Sequence, residues 1–212
     1  MNHAESRRKT ATSWIVTVYG ILIGLAGVEH GIFEILQGDV PTEDLMIDAI
    51  GDAYRFWPGA METALTIVPN YLWTGILAVI FGILVVIWSY LFVQRKYGAT
   101  IFFLLAMTLF LVGGGFAPIF LTLLGAGAAT RIEKPLNWWR AHLPGQEGLA
   151  KLWPSMLILF VIVFWSAVGI QIFGIPLVAV DVIYAIMGVL SIIMVVLMPF
   201  IVIVGIAYDI KT

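Results

Sequence analysis

The sequence predicts an all-α fold: a polytopic α-helical membrane protein built as a bundle of about five hydrophobic helices. Of its 212 residues, 61% are hydrophobic and only 11% are charged, which is more apolar surface than a soluble domain of this size can bury. The charges are also segregated, because four stretches contain no Asp, Glu, Lys or Arg: residues 71–93, 97–130, 152–180 and 182–208. Each stretch exceeds the roughly 20 residues that a helix needs to cross the hydrocarbon core. Barrel strands would alternate apolar and polar residues instead.

The chain reads as a short polar tail followed by one membrane domain. Residues 1–12 are polar and place Arg7, Arg8 and Lys9 just before the first apolar run. By the positive-inside rule this tail is expected in the cytoplasm of a cell whose membrane the chain crosses several times. Residues 13–212 form the single transmembrane domain, with interfacial connections at about 39–70 and 125–151.

Two function classes are excluded by composition. The chain has no cysteine, which removes disulfides, thiolate metal sites and CxxC redox chemistry. Its formal net charge of −2 comes with no basic stripe, so no nucleic-acid partner is expected.

The first helix is predicted over residues 13–36, and an acidic connection follows it. Residues 39–70 carry six acidic side chains against Arg55 as their one basic residue. Apolar and aromatic residues between 45 and 57 predict a short helix lying at the interface. An ordinary solvated outer loop is favoured over an acidic vestibule that attracts cations.

Three further apolar segments are predicted to be helices. The second covers residues 71–93 and ends at Arg95 and Lys96, a basic turn typical of the cytoplasmic side. The fourth and fifth cover residues 152–173 and 180–208.

The connection at 125–151 carries paired tryptophans, Trp138 and Trp139, next to Arg140. This pattern indicates an amphipathic stretch on the bilayer surface, where membrane lipid is the expected partner.

The third apolar run is too long for one upright span. Residues 97–130 would make roughly 50 Å of helix against a core of ~30 Å. Its middle holds Gly113, Gly114 and Gly115 and, shortly after, Pro118, all of which weaken a helix. The run is therefore either a kinked span or a re-entrant segment that returns to its own side; close packing is the favoured use of its glycines.

Charge placement separates these two topologies. With five crossings, the basic residues of the 131–151 region and Lys211 lie outside, against the positive-inside rule. With re-entry they return inside and leave Arg55 as the only external basic residue. Re-entrant segments are uncommon, so five crossings are favoured. Under re-entry, Asp181 would share a leaflet with the acidic residues of the first helix.

The first helix carries both a packing surface and ionisable side chains. At ~100° per residue its glycines fall on one stripe: Gly20, Gly24, Gly27, Gly31 and Gly38. Glu34 lies at the edge of this stripe and His30 a further ~40° round, whereas Glu29 points more than ~130° away. The spacing of four residues predicts that His30 and Glu34 pair with each other.

Three interpretations of the polar pair His30 and Glu34 remain open. The first is a proton or cation relay, because ionisable groups inside a bilayer are costly and usually functional. The second is a metal site, with Glu62 or Glu29 completing the ligands. The third, which is favoured, is a hydrogen-bonded structural pair. Glu29 and Asp181 are secondary candidates.

No reaction is indicated by the sequence. It contains no hydrolase triad, P-loop, dinucleotide fingerprint or paired haem histidines, and no cofactor is predicted. The leading expectation is small-solute or ion/proton transport, or a helper subunit of such a system. The alternative is a structural or assembly subunit that binds a second copy or a partner membrane subunit through glycine faces. A metal-dependent intramembrane enzyme ranks third.

Overall fold

A computed structural model describes residues 10–116 and 118–212. Its helices, in chain order, are α1 Ala11–Leu36, α2 Tyr71–Leu91, α3 Gly98–Leu111, α4 Pro118–Ala129, α5 Asn137–His142, α6 Gln146–Leu152, α7 Ser155–Phe173 and α8 Val180–Lys211. The short strands β1 Met46–Asp48 and β2 Thr63–Leu65 complete it. The predicted all-α membrane bundle is confirmed, and α1, α2, α7 and α8 are long and apolar enough to cross a membrane. The basic residues of the predicted tail, Arg7, Arg8 and Lys9, lie outside the described residues.

The bundle is centred on α1, which is held against α2 by facing glycines. A Cβ on Gly31 would lie 2.6 Å from the carbonyl oxygen of Gly75, and a Cβ on Gly82 would lie 2.6 Å from that of Gly24. The two backbones therefore touch at two points one heptad apart. No larger residue fits at these points without separating the helices.

The third apolar run is a helical hairpin, so the favoured five-crossing topology is wrong. Helix α3, about 21 Å long, ends at Leu111, and α4 leads back. Residues at the start of α3 and the end of α4 line the same surface cavity, including Lys96, Tyr97 and Lys134. Re-entry places Asp181 at the same end of the bundle as the C-terminal end of α1, where the ring of Tyr184 lies 5.7 Å from that of Trp57 at an angle of 51°.

Residues 112–115 of this hairpin turn are buried, and several of their backbone groups are paired. The amide of Gly113 donates to the carbonyl of Leu65 at 2.9 Å, and the Thr74 hydroxyl donates to the carbonyl of Val112 at 2.8 Å. Val112 also forms a β-bridge with Thr66. Non-helical backbone at membrane depth is tolerated when protein satisfies it in this way.

The connection after α1 is a small β-hairpin with a single 3₁₀ turn, Asp52–Tyr54, between its strands, so the helix predicted between residues 45 and 57 is reduced to that turn. β1 pairs antiparallel with β2, with Ile47 opposite Ala64. Both side chains are buried, together with Ala49. Alternating burial satisfies a strand pairing better than the one-sided stripe of a helix.

The two ends of the bundle carry opposite charge. The basic face holds the start of α1, the end of α8, and α5 and α6. Its basic residues are Arg95, Lys96, Arg131, Lys134, Arg140, Lys151 and Lys211, alongside Glu133, Glu147 and Asp209. The acidic face holds residues 37–70 and the start of α8. Its charged residues are Asp39, Glu43, Asp44, Asp48, Asp52, Arg55, Glu62 and Asp181.

Helices α5 and α6 pack against the end of α8 on the basic face. Lys211 Nζ lies 3.0 Å from Glu147 Oε1, and this contact lowers the pKa of Glu147. The Asp209 carboxylate accepts hydrogen bonds from the amides of Ala11 at 2.6 Å and Thr12 at 2.9 Å. A carboxylate at this position favours the helix N-terminus electrostatically, which joins the start of α1 to the end of α8.

Candidate functional site

A cavity of about 320 Å³ lies between α1, α7, α8 and the start of α4. One wall is polar and is formed by Glu29, His30, Glu62, Thr63 and Gln171, with Ser191 opposite. Much of the remaining wall is aromatic and methionine side chains, including Phe116, Phe164, Met187 and Met194. Concave, mostly apolar sites with a few convergent polar groups are the usual form of binding sites.

The cavity does not continue toward the basic face. Below it, the bundle is filled by fully buried Tyr19, Phe102 and Phe160. The Tyr19 hydroxyl donates to the carbonyl of Met198 at 2.6 Å, and its ring lies 5.5 Å from that of Phe160. This packing ties α1 to α7 and α8, so the polar wall belongs to the acidic half of the bundle.

Three ionisable side chains converge on the polar wall. One ligand-type atom each from Glu29, His30 and Glu62 lies within 4.8 Å of the others; we call these three residues the acid–histidine cluster. His30 Nε2 lies 2.8 Å from Glu62 Oε2. His30 is 7% exposed, and its Nδ1 and the buried Glu29 Oε1 have no hydrogen-bond partner among the described residues.

The predicted pairing of His30 with Glu34 is corrected by this geometry, since the ion-pair partner of His30 is Glu62. Glu29, predicted to point away, belongs to the cluster. The reason is that Glu62 comes from the loop before β2 and stands off the α1 surface. Two neighbouring residues ~100° apart on a helix can both reach a third group placed between them.

Glu34 occupies a separate, closed position one turn further along α1. It is fully buried, and neither carboxylate oxygen has a hydrogen-bond partner in the described part of the chain. Its carboxylate contacts Gly113 of the hairpin turn. Glu34 is therefore not one of the three clustered groups, although the sequence suggested it as a metal ligand.

The triple glycine forms the surface against which these α1 side chains pack. Gly113 has φ +98° and Gly115 has φ +80°, backbone conformations that glycine adopts without strain. A Cβ on Gly115 would lie 2.6 Å from His30 Nε2. Gly114 packs on Leu109 of its own hairpin. The turn thus lets the hairpin backbone approach His30 and Glu34.

Four of the five glycines of the predicted stripe, Gly20, Gly24, Gly27 and Gly31, face other helices of the same chain. Gly38 does not: it lies beyond the end of α1 with φ +86°, and no described atom lies within 4 Å of an added Cβ. Gly24 and Gly31 meet α2, as described above. Gly20 packs on Ser89 and Phe102, and Gly27 packs on Leu109. Asp181, in contrast, is exposed in the first turn of α8 and is not in the cluster.

Gln171 holds the loop that carries Glu62, a role that is barely visible in the sequence. Its side-chain amide donates to the carbonyls of Met61 at 2.5 Å and Gly59 at 3.3 Å. The backbone carbonyl of Gln171 accepts a hydrogen bond from the Trp57 indole N–H at 2.9 Å. The one available signal was an amide in an otherwise apolar helix, since such a group must find a partner in the bilayer.

The backbone of Glu62 is also fixed from the other side. Its amide donates to Asp48 Oδ1 at 3.0 Å, and Asp48 is paired in turn with Arg55. Burial by itself would raise the pKa of Glu62, but the positive charge of His30, together with hydrogen bonds from His30 and Glu29, outweighs burial and holds the pKa of Glu62 below its usual value. Glu62 is thus a pre-positioned carboxylate.

Comparisons with known proteins do not identify the site. No protein-family model, no curated protein and no solved structure matches the chain. Two carboxylates and an imidazole in a half-closed cavity can bind, hold and release a proton or a small cation.

Proposed function

We propose that the protein is a multi-pass integral membrane protein that takes part in ion or proton transport, with the acid–histidine cluster as its ion-binding site. The observation that carries the proposal is the convergence of Glu29, His30 and Glu62 within 4.8 Å on one cavity wall. An ionisable group inside a bilayer costs at least about 2.5 kcal/mol on insertion scales. Glu29 and His30 belong to the apolar helix α1, and the loop before β2 brings Glu62 to them, so stability alone does not account for this convergence.

Fully buried Glu34 adds to this support. A structural pair would satisfy its members with hydrogen bonds, because an unpaired buried polar group is destabilising. Both Glu34 oxygens are unpartnered in the described residues. A carboxyl group held close to the cluster at a cost to stability is expected where protons are exchanged.

Orientation follows from the charges of the two faces. Seven basic residues of the described chain lie on the basic face and only Arg55 on the acidic face. By the positive-inside rule we assign the basic face to the cytoplasm and the acidic face to the outside of the cell membrane. The cluster then receives its ion from the outside, and the packing around Tyr19 closes the path inward.

The alternative is a structural or assembly subunit that binds a partner helix through glycine faces. The α1 glycines Gly20, Gly24, Gly27 and Gly31 are covered by α2 and by the hairpin of the same chain, so a partner helix would have to use another face.

Proton movement into vesicles tests the proposal. The purified chain is reconstituted into liposomes that contain a pH-sensitive dye, and a potassium diffusion potential is applied. We expect proton uptake above that of empty liposomes, and its loss in Glu62→Gln and in His30→Ala.

Glu43→Gln provides the matched control, because it makes the same chemical change at an exposed position of the same connection. This variant is expected to keep the wild-type rate. Wild-type uptake equal to that of empty liposomes would contradict proton transport, and so would equal rates in wild type and Glu62→Gln.

A further inference from the structure

We infer that the acid–histidine cluster is a binding site for a first-row transition-metal dication such as Zn²⁺, Mn²⁺ or Fe²⁺, held by Glu29, His30 and Glu62. The inference rests on the proposed function in using the same site, and it names the ion.

The donor set is mixed, which narrows the choice of ion. Imidazole nitrogen suits zinc, iron, copper and nickel, whereas carboxylate oxygen also suits manganese, magnesium and calcium. Calcium and magnesium are bound by oxygen ligands alone in most protein sites. One histidine with two carboxylates therefore favours a transition-metal dication over calcium or magnesium.

The spacing of the donors fits a single ion. A zinc ion with bonds of about 2.0–2.2 Å holds its ligand atoms roughly 3.3–3.6 Å apart. The three donors already lie within 4.8 Å of one another, and the closest pair, His30 Nε2 and Glu62 Oε2, is 2.8 Å apart. Small side-chain rotations bring all three around one point.

The ion pair between His30 and Glu62 and a hydrogen bond between the carboxyl groups of Glu62 and Glu29 draw the three side chains together. These contacts leave the buried Oε1 of Glu29 without a hydrogen-bond partner among the described residues. A dication between the two carboxyl groups and Nε2 of His30 supplies a partner for Glu29 and Glu62 together.

Charge gives the same answer. A metal takes the place of the proton on His30, and two ionised carboxylates with a neutral imidazole then carry a charge of −2, which one dication neutralises. An uncompensated charge at this depth is strongly unfavourable.

Access and closure are also suited to a metal. The cluster lines the cavity, which leaves a side open for a further ligand, as in zinc sites with three protein ligands. On the other side the hairpin turn packs on His30, and Gln171 fixes the backbone before Glu62. Protein contacts therefore fix His30 and the segment that carries Glu62, while the cavity leaves one side of the cluster accessible.

Zinc titration of the full-length protein in detergent tests the inference. Isothermal calorimetry with ZnCl₂ is run in excess Ca²⁺, which occupies exposed carboxylates without matching the imidazole. We expect one Zn²⁺ per chain. Removing a direct ligand in Glu62→Gln or His30→Ala should weaken binding by at least about 100-fold, since loss of an outer-shell partner alone costs 10–100-fold. Glu43→Gln should bind as wild type.

X-ray absorption at the zinc edge gives a second readout, in which the wild-type spectrum should contain scattering from one imidazole. Folding of each variant is checked by tryptophan fluorescence. Absence of zinc binding by folded wild type, or equal affinity in wild type and folded Glu62→Gln, overturns the inference.

The outcomes separate the inference from the proposed function. Zinc binding without proton or zinc flux in liposomes leaves the metal site standing and removes transport. Proton flux without zinc binding leaves the transport proposal standing and removes the metal site.

Discussion

Gly115 lies directly against the imidazole of His30, so that a Cβ added at Gly115 would be 2.6 Å from Nε2. The re-entrant hairpin and the acid–histidine cluster are therefore one packed unit. A side chain at this position has to displace the histidine or the hairpin turn.

Gly115→Ala is expected to destabilise the protein and disturb the cluster. The backbone there has φ +80°, and an alanine held in such a conformation costs about 1–3 kcal/mol. The measurement is thermal unfolding in detergent followed by the fluorescence of the eight tryptophans. Gly127→Ala in the same hairpin is the control, because nothing lies within 4 Å of its added Cβ. Equal unfolding temperatures for the two variants would contradict the packing described.

Gly31→Ala is expected to separate α1 from α2. The new methyl group would lie 2.6 Å from the carbonyl oxygen of Gly75, which is backbone and cannot rotate away. Overpacking of this kind costs about 1–3 kcal/mol, seen as a lower unfolding temperature. Gly188→Ala on α8 meets open space and should show no such loss; a comparable loss there would remove the explanation.

Glu34→Met is expected to raise stability and lower transport. Glu34 is fully buried with two unpartnered oxygens, and an unsatisfied buried group costs about 1–3 kcal/mol. Methionine has a similar length and no polar atoms to desolvate. Unfolding temperature and proton uptake are measured on the same preparation. A variant that is both less stable and fully active would show that Glu34 is structural.

The stability difference between wild type and Glu62→Gln should depend on pH. The pKa of Glu62 is lowered in the folded protein, so its ionised form stabilises the fold above its usual pKa of 4.5, and that contribution is lost as the pH falls through the lowered value. We expect wild type to be the more stable at pH 6 and the difference to shrink below about pH 4.5. Unfolding temperatures across this range measure it, and a constant difference would be inconsistent with the pairing of Glu62 and His30.

Single-cysteine labelling tests the hairpin topology. The chain has no native cysteine, so each introduced thiol is unique. Lys96→Cys and Lys134→Cys should react with a membrane-impermeant maleimide from the same side, and Glu43→Cys from the opposite side. Labelling of positions 96 and 134 from opposite sides would restore the five-crossing topology. The cysteine-free wild type, treated with the same maleimide, gives the background signal.

The long helices were predictable because a long, uncharged apolar run is typical of a helix that lies in lipid. The second helix was expected from residue 71 and begins at Tyr71. The hairpin could not be chosen from local sequence, since triple glycine and Pro118 suit a kink as well as a turn. What decides it is the pairing of Val112 with Thr66, a contact between segments far apart in the chain.

The cluster was only partly predictable for a related reason. His30 was recognised because an ionisable residue in an apolar helix is conspicuous. A helical wheel gives the direction in which Glu29 leaves the helix, but it does not give the position of a group arriving from another segment. The approach of Glu62 depends on Gln171 and Asp48, whose contacts form only in the folded chain.

Strand β2 gives the site a mechanical property. Glu62 immediately precedes Thr63, the first residue of β2, and the carbonyl of Leu65, its last residue, accepts the amide of Gly113. Three residues of extended backbone, about 10 Å long, thus connect the carboxylate to the hairpin tip. Because one strand makes both contacts, a change that displaces the hairpin tip is expected to displace the Glu62 carboxylate as well.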